Sequence, residues 1–184
     1  MVQTTCGRSE KPLKKVELES KTIKHEDIDE LLDKAKVASK RLKTFKQNEI
    51  DYITRHVSLK MKQHTKEIAE AALAYGNLGT VEEKFDFTDF AIDDTYNAIK
   101  DKKTVGEIFR DPETDLIHFA EPVGVVAAVL NCTAAGMVEY VKAINCIKTA
   151  NCIICSPHPR TAVATNYMVD LLAKYAIEAG APKD

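Results

Sequence analysis

The chain has 184 residues, 45% apolar and 29% charged, and its 26 basic and 28 acidic side chains leave a net charge of −2. That balance describes an ordinary globular protein and excludes an electrostatic nucleic-acid binder, which needs a basic excess or stripe. No run of roughly 18 apolar residues is present, so no membrane span is expected, and Met1–Ser20 lacks the apolar core of a secretory signal. Five cysteines without such a signal read as reduced thiols in a cytoplasmic compartment.

Residues 1–24 read as a flexible polar lead-in, with Lys11, Lys14 and Lys15 on a solvated tail. From His25 to Leu42, Ile28, Leu31, Leu32, Ala35 and Ala38 share one helical face. A second helix is expected from Gln47 to Tyr75, because Ile50, Ile53, Val57, Met61, Ile68, Ala72 and Tyr75 recur mostly at three- or four-residue steps and Gly76 offers a C-cap. A third begins at Thr80, where Glu83 completes a capping box, and runs to about Lys100. Residues 25–103 thus form an amphipathic helical part.

Residues 104–121 change character. Thr104–Phe109 and Leu116–Ala120 are expected as strands of an exposed hairpin turning at Asp111–Thr114. Next comes Val123–Leu130, a continuous apolar run whose lack of alternation suits a parallel strand buried on both faces. A helix from Ala134 to about Thr149, a short strand Asn151–Cys155 and a helix from Thr161 to about Ala179 complete residues 122–184. Strand–helix–strand–helix with short links defines the fold class as α/β: a right-handed βαβα unit opening a Rossmann-like parallel sheet. Two such strands cannot cover all their faces and edges, so the sequence is expected to be the front portion of a larger α/β domain.

Glu121, Pro122 and Gly124 at the entry of the apolar strand, and Ser156-Pro157-His158-Pro159-Arg160 after the second strand, carry a resemblance. So do Tyr96–Asp101, Lys103–Gly106 and Ala179–Asp184. Over roughly residues 26–184 the sequence resembles the aldehyde dehydrogenase superfamily. It is most similar to the CoA-acylating branch, in particular the aldehyde dehydrogenase part of the bifunctional aldehyde-alcohol dehydrogenases. The resemblance implies an incomplete aldehyde dehydrogenase fold. It also implies NAD on a Rossmann-like domain, an aldehyde as substrate, and coenzyme A as the acyl acceptor.

By the same resemblance, Ser156, Pro157, His158 and Arg160 contact the adenosine end of NAD, and the hairpin 104–121 belongs to an oligomerisation surface joining copies or relatives. The family's nucleophilic cysteine lies in a catalytic domain beyond position 184, so no catalytic residue is expected here. Ala134 stands where the family has its oxyanion asparagine, and a methyl group cannot donate a hydrogen bond. Cys132 falls in the loop facing the family's nicotinamide pocket and reads as a substitution. The resulting expectation is an acylating dehydrogenase segment inactive alone; the alternatives are an interaction module and a stand-alone nucleotide binder.

Read without the resemblance, Ser156–Arg160 is also a proline-stiffened turn with a solvated arginine. Cys152 and Cys155 form a C-x-x-C, but in a strand residues three apart point to opposite faces, which favours buried free thiols over a chelate. His56 and His64 are eight apart, not the four of a helical metal pair. No metal site is expected.

Overall fold

The computed structural model describes residues 25–183, with side-chain burial defined from Ile28 onward; the lead-in 1–24 lies outside the described residues. Four helices come first: α1 (His25–Leu42), α2 (Gln47–Gln63), α3 (Thr65–Gly76) and α4 (Val81–Ile99). The hairpin β1 (Gly106–Arg110) and β2 (Ile117–Ala120) follows. Then come β3 (Val125–Val129), α5 (Val138–Lys148), β4 (Cys152–Ser156), a single 3₁₀ turn (Pro159–Thr161) and α6 (Ala162–Glu178). The protein is an α/β structure whose second part is a parallel strand–helix–strand–helix unit.

The core is helical, and α2 runs through it. Ile53, Val57 and Met61 at four-residue steps meet Ile68 of α3, Ile92 of α4, Tyr140 and Ile144 of α5, and Met168, Leu172 and Tyr175 of α6. The Tyr140 hydroxyl is buried and donates to Ser58 Oγ at 2.8 Å, so its polar end is satisfied within that cluster.

The expected single helix from Gln47 to Tyr75 is two. His64 leaves helical geometry at φ −103°, ψ 5°, closing α2 and opening α3. Thr65 Oγ1 bonds back to Lys62 O at 2.9 Å, and the His64 ring is held at 2.5 Å by Tyr175 of α6. A local bond and a side-chain bond from α6 thus meet at the break, which no glycine or proline marks. The helix expected from Ala134 starts later, at Val138, because Ala134–Met137 form turns.

β3 and β4 pair in parallel from Val125–Cys152 to Val129–Ser156. Asn151 starts this register: its Oδ1 accepts from Gly124 N at 2.8 Å while Cys152 N donates to Gly124 O. Double-sided burial of the first strand does not hold, since Val129 is 77% exposed and Val123 just before it 83%. The two-stranded sheet has α1 and α5 against it and no third strand beside it among the described residues.

β1 and β2 form a separate antiparallel hairpin with a register shift between Glu107 and Phe109. Its turn is organised by Asp111, whose carboxylate accepts from Glu113 N and from Thr114 Oγ1. Neither strand contributes to the helical core.

Candidate functional site at the carboxyl end of the parallel strands

In open α/β sheets, ligands bind beyond the carboxyl ends of the strands. Here that end carries two segments: the loop 131–137 after β3, and the turn 156–161 after β4. Leu130 N donates to Ser156 O at 3.0 Å, so both segments leave the sheet at one level. Gly76, the last residue of α3, sits between them: a Cβ there would lie 3.5 Å from Thr161 Cγ2 and 3.9 Å from Cys132 O.

In the turn, Ser156 closes β4 and is exposed, Pro157 is half-buried, and His158 and Arg160 are exposed. His158 caps the 3₁₀ turn, its Nδ1 accepting from Arg160 N at 3.2 Å and its carbonyl accepting from Thr161 N at 3.0 Å. A neutral imidazole accepting at Nδ1 carries its proton on Nε2, which leaves that group as an outward donor. The Arg160 guanidinium is exposed and takes part in no ion pair among the described residues. The four residues singled out in sequence are thus together, and two of them present donors that fit a phosphate or ribose hydroxyl.

The loop 131–137 is held from several sides. Lys84 of α4 donates through Nζ to Thr133 O at 2.7 Å, and Asn131 Nδ2 donates to Thr133 Oγ1 at 3.0 Å. Glu139, fully buried in the first turn of α5, accepts from Gly136 N at 2.8 Å and from Thr165 Oγ1 of α6 at 2.7 Å. Its carboxylate therefore satisfies a donor at the head of α5 and bridges to α6. Gly136 has φ +98°, and a Cβ there would come 3.1 Å from Ile68 Cγ2.

Ala134 accepts from Met137 N and Val138 N through its carbonyl, and it lines a cleft of about 490 Å³ between α4 and the loop. Sequence reasoning missed Lys84, Glu139 and this cleft. A lysine on an amphipathic helix reads as solvated, and a lone glutamate after an apolar strand gives no sign that it is buried.

The four described cysteines, Cys132, Cys146, Cys152 and Cys155, are free and half-buried. Burial pushes the Cys146 and Cys152 thiols up and takes Cys155 to about 11, with the Glu139 carboxylate adding to the rise at Cys155. Raised thiols are poor nucleophiles at neutral pH. Among the described residues no hydrogen bond or ion pair reaches the Cys132 thiol, and no group of three His, Cys, Asp or Glu side chains could hold a metal ion. No described helix is long and apolar enough to cross a membrane.

Residues 6–184 match the aldehyde dehydrogenase family, and the chain belongs to that family. It is 35% identical over 158 residues to the bifunctional aldehyde-alcohol dehydrogenase AdhE of Escherichia coli K12, covering 86% of this chain and 18% of that protein. It is 33% identical to the acetylating succinate-semialdehyde dehydrogenase of Clostridium kluyveri, covering 85% of this chain and 35% of the relative. The crystal structure of an acetylating aldehyde dehydrogenase from Geobacillus thermoglucosidasius superposes with a TM-score of 0.84 at 36% identity, over 86% of this chain and 35% of that one. The chain therefore spans only 18% to 35% of the length of these relatives.

Proposed function

We propose that these residues are the front of the dinucleotide-binding domain of an NAD-dependent, CoA-acylating aldehyde dehydrogenase. In that reaction an aldehyde, CoA and NAD give acyl-CoA and NADH. The observation that supports this reading most directly is the turn 156–161 standing beside the loop 131–137 at the carboxyl end of β3 and β4. Bound NAD would supply the hydride acceptor. Toward it, Arg160 offers a charged fork for phosphate and His158 a ring N–H donor for ribose, with Ser156 and Pro157 shaping the approach.

Ala134 gives the loop no side-chain donor for a developing oxyanion, a loss worth roughly 10²–10³ in rate in enzymes that rely on one. Burial raises the Cys146, Cys152 and Cys155 thiols, the opposite of activation. A polypeptide of these 184 residues alone is therefore inactive. The check is NADH formation from acetaldehyde, CoA and NAD, read against a heat-denatured control. The expected rate equals the control, and turnover well above it overturns the claim of inactivity. Calorimetric titration with NAD tests the turn itself. A saturable signal weakened by Arg160→Ala supports its role, and silence at millimolar NAD ends the claim for this chain.

A second reading rests on the hairpin. Phe109 and Phe119 on the two strands, and Leu116 just before β2, are all more than half exposed. The hairpin then serves as an association surface, joining this chain to a second copy or to a full-length relative.

A further inference from the structure

Two short segments beside the start of α2 carry a charge that the dinucleotide reading does not use. Arg41, Lys43 and Lys46 lie at the end of α1 and in its link to α2; Lys100, Lys102 and Lys103 lie between α4 and β1. All six are exposed. Gln47 clamps the two segments together, its Oε1 accepting from Thr104 N at 2.7 Å and from Val105 N at 3.1 Å. Beneath them Leu42 and Val105 share a small apolar cluster with Ile50 and Ala150. The six cations therefore stand over one fixed joint. Helix ends ordinarily draw such side chains onto their last carbonyls. Here α1, α4 and α5 all end, but inner groups answer them: Lys148 Nζ donates to Lys100 O at 3.0 Å, and Thr104 Oγ1 donates to Lys148 O. Lys43 pairs with Glu121 at 2.9 Å and Lys100 bonds Asn97 Oδ1 at 3.0 Å. The side chains of Arg41, Lys46, Lys102 and Lys103 take part in no ion pair or hydrogen bond among the described residues. Residues 40–46 hold no acid and residues 100–103 only Asp101, so a chain of net charge −2 carries a local basic excess.

We propose that this joint binds inorganic polyphosphate, a flexible chain of linked phosphates laid across both basic segments. Stacking of single-stranded bases needs exposed aromatic rings, and insertion into a lipid surface needs exposed apolar side chains. Neither segment presents either. A long rigid duplex would extend beyond the patch over a surface whose overall charge repels it. A flexible polyanion can stay within the patch and meet several cations at once. Its binding requires nothing from Ser156–Arg160, so its outcome is separable from that of NAD binding.

The experiment is calorimetric titration of the full chain with inorganic polyphosphate at about 50 mM and about 200 mM NaCl. Saturable binding is expected at the lower salt and should weaken about tenfold or more at the higher, as for any polyanion held by several exposed cations. Orthophosphate should give no saturable heat, since one phosphate meets only a fraction of the charge. Lys46→Gln with Lys103→Gln removes one cation from each segment and should weaken polyphosphate binding about fivefold or more. Lys66→Gln with Lys174→Gln makes the same change in net charge on exposed lysines of α3 and α6. That pair should leave the affinity within about twofold of wild type. No saturable heat at the lower salt overturns the proposal. So does an affinity unchanged by Lys46→Gln with Lys103→Gln, or lowered equally by the two pairs. Orthophosphate binding as tightly as polyphosphate overturns the need for linked phosphates. Tighter binding of a DNA duplex with the same number of phosphates overturns the assignment in favour of nucleic acid.

Discussion

Lys148 ends α5 in the position where a lysine ordinarily faces solvent and the helix dipole. Here its side chain is only 2% exposed, and Nζ donates to Asp51 Oδ1 at 2.5 Å and to Lys100 O at 3.0 Å. One ammonium thus ties the end of α5 to α2 and to the residue following α4. Lys148→Met leaves the Lys100 carbonyl without its donor and Asp51 without its cation. Because Asp51 is 40% exposed it can rehydrate, so the expected loss is at the lower end for a broken pair, about 2–3 kcal/mol. This should lower a urea midpoint by about 1–2 M; a midpoint unchanged from wild type would refute the tie. Cys155 supplies a pH test with the opposite kind of group. Its folded thiol is raised from 9.0 to about 11, so between those values the folded state holds a proton that the unfolded state has lost. Stability then falls as pH rises through that window and is unaffected below it. Cys155→Ala should flatten the alkaline limb in urea titrations at pH 8 and pH 10.5. Equal slopes in the two proteins would count against the buried thiol.

Elements were legible in sequence where their causes are local. The start of α4 is one: Thr80 Oγ1 accepts from Glu83 N at 3.1 Å and Glu83 Oε2 accepts from Thr80 N at 2.9 Å, a reciprocal bond written into four consecutive residues. The parallel pair β3–β4 was legible for the same reason, as two apolar runs separated by one helical pattern. The break between α2 and α3 was not, because no glycine or proline marks it and one of the bonds that meet there comes from Tyr175, 111 residues away. His64 donates or accepts at both ring nitrogens, to Glu67 at 2.6 Å and to Tyr175 at 2.5 Å, and Glu67 also accepts from Tyr167 of α6 at 3.0 Å. Those two bonds hold the Glu67 carboxyl below its ordinary range. The candidate site divides the same way. Ser156–Arg160 could be read from adjacent residues, whereas the supports of the loop 131–137 come from three separate helices. His64→Ala should therefore act on the joint and on α6 together. It leaves the largely buried Tyr175 hydroxyl unpaired, at a cost of about 1–2 kcal/mol. Amides of residues 172–178 should exchange faster in hydrogen–deuterium exchange. Faster exchange confined to α3, with α6 unchanged, would show that the joint is not held from α6.

At the scale of the whole molecule, α2 to α6 share one core and α1 joins a smaller cluster through Leu42, Ile50 and Ala150, while the two small sheets are each left with open faces and edges. The β3–β4 pair at least has α1 and α5 against it; the hairpin has neither strand in the core. An isolated two-stranded hairpin is marginal in water, and its exposed edge is a template for pairing with another chain. Phe119 is 63% exposed and Phe109 55%, while Arg110 pairs with Glu107 and Asp115 beside the turn. Apolar residues on such an element gain most by burial against a partner, at about 25 cal/mol per Å² of apolar area covered. The chain co-expressed with a full-length acetylating relative should therefore elute with it in size-exclusion chromatography. Phe109→Ser with Phe119→Ser should abolish co-elution. Both positions lie outside the helical core, so thermal unfolding of the double variant should stay close to wild type. That second measurement separates loss of a docking face from loss of the fold. Separate elution of the wild-type chain at every ratio, together with a monomeric mass at all concentrations, would remove the hairpin as an association surface.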